Sequence, residues 1–113
     1  MAVGGSNGKT TTKELIAAAL GPRATKTQET MNGWTGIPFT LLDRAHAAGS
    51  SAPSALVVEI GIDAVGAMQE HARLVDPDVS VLTMIGPEHL AGLGDVDTVA
   101  REELTLFEGT RRG

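Results

Sequence analysis

Cysteine and tyrosine are absent from this chain of 113 residues, and aromatic residues make up only 3% of it. The lack of cysteine excludes disulfides, thiolate metal sites and thiol nucleophiles. Because aromatic rings are so few, we expect a core of aliphatic side chains and alanine, which the 42% hydrophobic content can supply. A chain of this length forms one small domain.

Basic residues are also scarce, since 9 Lys and Arg against 14 Asp and Glu give a net charge of −5 with neutral histidine. This acidic balance argues against nucleic acid or anionic lipid as the main partner. No apolar run reaches the roughly 18 residues that a membrane-spanning helix needs. Met1–Gly5 lacks the basic and apolar regions of a signal peptide. We therefore expect a cytoplasmic protein that binds neither nucleic acid nor a membrane.

Strand and helix patterns alternate along the chain. Apolar runs bounded by turn residues predict strands at Ala55–Ile60 and Val79–Ile85. Ala2–Val3 is expected to be the tail of a strand, and Arg23–Gln28 a short strand whose composition supports it only weakly. Helical spacing predicts helices over Thr10–Leu20, Gly36 to Gly49–Ser51, Val65–Val75 and Asp95–Phe107, with Asp95 as an N-cap. The alternation predicts βαβ units and a three-layer α/β fold with a mainly parallel sheet.

A glycine-rich segment between the first strand and the first helix is typical of phosphate binding. Gly5–Thr11 reads GSNGKTT, and its glycines allow a tight turn whose amides, with the helix N-terminus, face one anion. Lys9 can reach the outer phosphates, and the Thr10 hydroxyl can bind Mg²⁺. Val3 stands where the strict Walker pattern has glycine, so an ordinary glycine-rich turn is the alternative. The predicted phosphate-binding residues are Gly5, Ser6, Asn7, Gly8, Lys9, Thr10 and Thr11.

Three further polar residues follow or interrupt apolar patterns. Glu59 ends the most hydrophobic strand, at the carboxyl edge where ligands bind in open α/β sheets. A buried carboxylate there must be paired or bound to metal, and the alternative is a side chain solvated at the strand end. His89 follows the next strand, where a histidine taken alone is more often solvated. Glu103 lies on the same apolar stripe of the last helix as Val99 and Phe107. Its side chain therefore either reaches solvent at the edge of the stripe or has a function that requires its charge.

Four ordered motifs resemble the ATP-binding domain of the Mur ligases. They are the loop Val3–Lys13, the segment Asn32–Leu42, Val58–Gly61 with Gly66, and the turn His89–Gly94. The resemblance spans nearly the whole chain and implies a P-loop fold with ATP and Mg²⁺ as cofactors. The segments are most similar to the ligase of peptidoglycan precursor synthesis that joins D-Ala-D-Ala to a UDP-MurNAc-peptide through an acyl phosphate.

The resemblance also implies roles for particular residues. Lys9, Asn32 and His89 are the implied catalytic residues, and Asn32 would also contact the nucleotide phosphates. Glu103 stands where such ligases carry a carbamylated lysine, and one hypothesis is that its carboxylate supplies the same negative charge, through water rather than by direct ligation. The alternative of a solvated Glu103 stays open. The implied metal-binding residues are Thr10, Glu59, His89 and Glu103.

Compared with the family, residues 1–113 are expected to be part of the central domain, with the N-terminal and C-terminal domains absent. Such a fragment would supply the ATP and Mg²⁺ site without ligating by itself. The alternatives are another Mur-type amide ligase, similar to folylpolyglutamate or cyanophycin synthetases, and a non-catalytic nucleotide-binding module.

A few remaining side chains are expected to have no role in binding. His46 and His71 fall within predicted helices and are expected to face water. Trp34 is expected to pack against its loop rather than stack on a base, and Arg111–Arg112 to form a solvated basic end.

Overall fold

The computed structural model describes residues 1–46 and 54–111. Four short strands form one parallel sheet: β1 (Ala2–Gly4), β2 (Ala24–Lys26), β3 (Ala55–Glu59) and β4 (Ser80–Leu82). The strand order is β2-β3-β1-β4, and Ala2 of β1 lies opposite Val58 of β3 and Ser80 of β4. Because β1 lies inside the sheet, the glycine-rich segment at its carboxyl end is flanked by the ends of β3 and β4.

Five helices accompany these strands in the described part of the chain: α1 (Lys9–Leu20), α2 (Gly36–His46), α3 (Ala67–Val75), α4 (Leu90–Leu93) and α5 (Val96–Glu108). A 3-10 turn, Gly21–Arg23, ends α1. The predicted helices are confirmed as α1, α2, α3 and α5, and the Asp95 side chain accepts a hydrogen bond from the Thr98 amide as an N-cap should. The short α4 was not predicted. The expected end of α2 at Gly49–Ser51 lies outside the described residues.

The hydrophobic core lies between the sheet and the layer formed by α2, α3 and α5. It contains Ala2, Val58, Ile37, Met68 and Leu106, with other aliphatic residues around them. No aromatic side chain belongs to the buried hydrophobic set among residues 1–46 and 54–111, which confirms the expected aliphatic core.

The opposite face of the sheet is covered by α1, which contacts β1, β2 and β3. Successive strand residues point to opposite faces, so Glu59 lies on the face away from Val58 and meets Lys13 of α1. The predicted three-layer α/β architecture with a parallel sheet is thereby confirmed.

The basic end of the chain is less free than its sequence predicts. Arg111 is exposed but forms an ion pair with Asp76, and its amide donates to the carbonyl of Pro77 at 3.0 Å. Arg112 lies outside the described residues.

Candidate nucleotide-phosphate site

The segment Gly5–Gly8 forms a tight loop from the end of β1 to the start of α1. Gly5 and Gly8 have φ angles of 118° and 80°, in the region that favours glycine. A Cβ at Gly5 would collide with the Thr83 hydroxyl, whereas Gly8, as the N-cap of α1, has no side chain to cover the first amides of the helix. The helix N-terminus is therefore open to an anion, as the sequence predicts for a phosphate loop.

The chain that follows β4 holds this loop in place. The Ser6 amide donates to the carbonyl of Met84 at 2.8 Å, and the Ser6 hydroxyl bonds both the carbonyl and the amide of Gly86 at 2.9 Å. The Thr83 hydroxyl donates to the carbonyl of Asn7 at 2.6 Å. These contacts hold the loop in one conformation. Because the amides of Gly5, Ser6 and Gly8 already donate within the protein, the amides at the start of α1 are those left for an anion.

The side chain of Lys9 is turned back toward its own loop. Its ammonium donates to the carbonyl of Gly5 at 2.5 Å and lies 3.4 Å from the carboxylate of Glu88. Both side chains of this ion pair are 12% exposed. Glu88 was not singled out from the sequence, although its place directly before His89 put it at the same edge of the sheet.

The Gly5–Gly8 loop and the start of α1 form the first wall of the site, and Asn32 and Glu59 form a second wall beside it. The Asn32 amide nitrogen donates to Oε1 of Glu59 at 2.7 Å, and the Asn32 carbonyl accepts from the Gly61 amide at 2.8 Å. Glu59 is 1% exposed, and its own amide donates to the Thr27 hydroxyl at 3.1 Å. The alternative of a solvated Glu59 is therefore wrong, and two motifs far apart in sequence meet here.

A cavity of about 300 Å³ lies between the loop and this wall. Its lining brings together most of the predicted binding residues: Ser6, Asn7, Gly8, Lys9, Thr10, Thr11, Thr30, Asn32 and Glu59. Gly5 lies behind the loop, where its amide donates to Glu103. The grouping of Thr10 and Glu59 places a hydroxyl and a carboxylate in one cavity.

Lys13 is a buried residue of this region that the sequence reading missed. Its side chain is 0% exposed, and its ammonium lies 3.4 Å from Oε2 of Glu59 and bonds the carbonyl of Glu29. One signal was available in the sequence, because Lys13 lies four residues after Lys9 and so shares its helix face.

His89 and Glu103 lie outside the lining of the cavity. His89 is exposed and precedes α4 with a φ of 45°, whereas Glu103 is fully buried on α5. Among residues 1–46 and 54–111, no three His, Asp or Glu side chains are arranged to hold a metal ion. Direct participation of His89 and Glu103 in a metal site therefore stays a prediction.

Glu103 contacts the phosphate loop (Gly5–Gly8) from α5, outside the cavity. Its Oε2 accepts a hydrogen bond from the Gly5 amide at 2.7 Å, and its Oε1 has no hydrogen-bond partner in the described structure. Burial, with help from the nearby Glu88 carboxylate, raises the pKa of Glu103 to about 7, although the Gly5 amide and Lys9 oppose this shift. The alternative in which Glu103 reaches solvent is wrong.

The Asn32 loop packs against α3 through two rings. Trp34 lies over His71 with ring centroids 4.4 Å apart and the planes tilted by 56°. His71 is 2% exposed, and burial lowers its pKa despite the opposing charges of Asp63 and Glu70. The expectation that His71 faces water is wrong because Trp34 covers it, whereas His46 is exposed as predicted.

The donors present in the cavity fit a polyphosphate with its cation. The amides at the N-terminus of α1, the hydroxyls and the Lys9 ammonium are groups that bind phosphate oxygens. Thr10 and Glu59 offer the oxygen ligands that Mg²⁺ prefers. Oε2 of Glu59 accepts no hydrogen bond from any described residue, and the Lys13 ammonium lies 3.4 Å from it as an ion-pair partner.

The parallel sheet, the loop and the open helix N-terminus define an α/β protein with a P-loop-like fold. Residues 3–113 match the Mur ligase middle domain, and the chain belongs to that family. The resemblance inferred from the four sequence motifs is therefore confirmed.

Named relatives and solved structures agree with this assignment. The chain is 38% identical over 111 residues to the UDP-N-acetylmuramoyl-tripeptide–D-alanyl-D-alanine ligase of Bacillus subtilis (strain 168), covering 96% of this chain and 23% of the relative. It is 34% identical over 107 residues to the ligase of the same name from Synechocystis, covering 93% and 22%. A crystal structure of MurF from Acinetobacter baumannii superposes with a TM-score of 0.80 at 28% identity, covering 96% and 23%.

These comparisons extend over a limited part of each relative. The chain spans about a quarter of the length of the relatives it matches. Within the described residues, none of the helices has both the length and the apolar character needed to cross a membrane.

Proposed function

We propose that this chain supplies the ATP and Mg²⁺ site of a ligase that joins D-alanyl-D-alanine to a UDP-MurNAc-tripeptide in the cytoplasm. The relatives that bear this name match more than nine-tenths of the chain, and three of the four sequence motifs contribute side chains to one cavity. Residues 1–113 would then be part of the central domain of a longer enzyme, whose other domains bind the peptide substrates.

One observation carries the proposal. The cavity joins an open helix N-terminus and Lys9 on one side to the paired side chains of Asn32 and Glu59 on the other. Positive groups and amides meet the phosphates at the first wall, and the carboxylate at the second wall meets a cation. An ordinary glycine-rich turn would not need the second wall.

The chemistry assigned to these residues is electrostatic. In the intact enzyme, a substrate carboxylate oxygen would attack the γ-phosphorus of ATP, ADP would leave, and an amine would then displace phosphate from the acyl phosphate. Lys9 would release Gly5 and Glu88 and neutralise charge on the transferred phosphoryl group. Asn32 would keep Glu59 oriented. Bound Mg²⁺ would supply further neutralisation of phosphate charge, held by Thr10 and Glu59.

Calorimetry with ATP and Mg²⁺ tests the shared nucleotide site. We expect binding by the wild-type chain and a loss of affinity of about tenfold or more for Lys9→Ala, because the loop loses its point charge. Lys26→Ala is the matched control, since Lys26 pairs with Glu14 on the surface and does not line the cavity. A folded wild-type sample that gives no heat would contradict the proposal.

A chimera tests whether this chain supports ligase catalysis or only nucleotide binding. Residues 3–113 would replace the matching segment of the Bacillus subtilis ligase, and ADP release would be measured with UDP-MurNAc-tripeptide and either D-Ala-D-Ala or glutamate. We expect release with D-Ala-D-Ala, and abolition by Lys9→Ala. A chimera that binds ATP but releases no ADP would favour a non-catalytic nucleotide-binding module.

A further inference from the structure

Lys13 is the one charged residue of α1 whose side chain is fully buried in the described structure. A buried ammonium is costly unless acceptors surround it. Lys13 has three, which are Oε2 of Glu59 at 3.4 Å, Oε1 of Glu14 at 3.4 Å and the carbonyl of Glu29. The last two belong to α1 itself and to the loop after β2, so Lys13 joins three parts of the fold at one point.

Two of these acceptors bear on the wall formed by Asn32 and Glu59. They are Oε2 of Glu59 itself and the carbonyl of Glu29, in the loop that leads to Asn32. The Asn32 amide nitrogen already occupies Oε1 of Glu59, so Lys13 sets the position of the other oxygen, Oε2. Glu29 has a φ of 45°, in the left-handed region that costs energy for a residue with a side chain. The bond from Lys13 to its carbonyl holds that strained residue three positions before Asn32.

We propose that Lys13 is a positioning residue for cation binding at Glu59. It orients the Glu59 carboxylate, and it fixes the turn that brings Asn32 to the same carboxylate. Lys13 does not line the cavity, so it acts on the nucleotide through Glu59 and Asn32 rather than by contact. This inference rests on the proposed function, because the group that Glu59 would bind is the Mg²⁺ of the nucleotide complex.

The first test compares ATP binding with Mg²⁺ and with a chelator in Lys13→Met, which keeps the length of the side chain without its charge. We expect the gain in affinity that Mg²⁺ provides to fall by about tenfold or more, because residues that orient metal ligands typically contribute this much. Binding of Mg²⁺-free ATP to the loop should change far less. Lys26→Met is the control, since it removes a lysine that pairs with Glu14 but does not contact Glu59.

The comparison of the two affinities separates positioning from a general structural role. If Lys13→Met weakens both forms of ATP equally, or leaves the gain from Mg²⁺ unchanged, the proposal is overturned. If the wild-type chain binds neither form, the proposed function fails. The coupling between Lys13 and Glu59 is then tested by the stability measurements described next.

The second test is a double-mutant cycle in urea with Lys13→Met, Glu59→Gln and the combined variant. Removing one partner of a buried pair leaves an unpaired charge, whereas removing both does not. We therefore expect the combined variant to be more stable than additive effects allow, by about fivefold or more in the unfolding equilibrium constant. Losses that simply add in the combined variant would overturn the proposal.

Discussion

The carboxylate of Glu103 accepts a hydrogen bond from the amide of Gly5 at 2.7 Å, across 98 positions of sequence. The contact joins α5 to the first residue of the phosphate loop, and both groups are buried. Gly4 lies so close that a Cβ on it would approach the same Glu103 oxygen to 2.7 Å. The phosphate loop is thus supported by a titratable side chain that lies outside the cavity.

The first prediction concerns the pH dependence of stability. Burial raises the pKa of Glu103 from 4.5 to about 7, so the folded chain holds this proton more tightly than the unfolded chain does. The resulting stabilisation is fully present below pH 4.5 and is lost as pH rises through about 7. Glu103→Gln keeps an oxygen for the Gly5 amide and has no charge, so we expect it to be more stable than wild type at pH 8, by about 1–3 kcal/mol.

Urea unfolding at pH 5, 6, 7 and 8, followed by circular dichroism, measures this difference. Glu108→Gln is the control, because Glu108 lies on the same helix and is exposed. Parallel stability curves for the wild type and Glu103→Gln across this range would contradict the prediction.

The second prediction concerns the backbone of the phosphate loop. Gly5→Ala places a Cβ against the Thr83 hydroxyl and 2.9 Å from the carbonyl of Met84, at a φ of 118°. We expect a loss of about 2 kcal/mol or more in the free energy of unfolding, because neither the backbone angle nor the space suits alanine. Gly33→Ala is the control, since Gly33 has open space and no positive φ. Equal stability of the two variants by urea unfolding would show that the loop tolerates a side chain.

The sequence predicts the sites of the helices well and the faces they bury less well. On α5, the buried residues are Val99, Glu103 and Leu106, whereas Phe107 of the predicted stripe is 40% exposed. On α1, the apolar Leu15 is 66% exposed, whereas the charged Lys13 is fully buried. Local periodicity locates a helix, but its buried side depends on how it is rotated against the sheet, and that is set by distant residues.

The candidate site likewise combines features that the local sequence predicts with contacts that it does not. The loop residues and Glu59 could be predicted because turn chemistry and strand ends are local features of the sequence. The contacts Lys13–Glu59 and Glu103–Gly5 could not, since each joins residues whose approach depends on helix packing. The burial of His71 was likewise hidden, because its covering ring, Trp34, comes from a separate loop.

The third prediction concerns the ion pair between Lys9 and Glu88. Glu88 places a negative charge 3.4 Å from the Lys9 ammonium, with which a bound phosphate would have to compete. We expect Glu88→Gln to bind the ATP complex of Mg²⁺ more tightly, by about threefold to tenfold, because Lys9 no longer leaves a charged partner. Calorimetry measures the change, and Glu70→Gln, which removes the partner of Arg73 on the surface of α3, is the control. Weaker binding by Glu88→Gln would instead indicate that Glu88 helps to hold the cation.

The last prediction concerns His71 beneath Trp34. Burial lowers the pKa of His71 below its usual 6.5, so the folded chain binds this proton less readily than the unfolded chain does. The stability that depends on neutral His71 is present above pH 6.5 and is lost as pH falls below it. His71→Phe keeps a ring against Trp34 without a titrating group, so its stability should fall less between pH 7 and 5 than that of the wild type. Trp34 is the single tryptophan of the chain, and its fluorescence in urea reports the transition directly. His46→Phe, at an exposed position, should leave the acid dependence unchanged, and an equal effect of the two variants would exclude His71 as the cause.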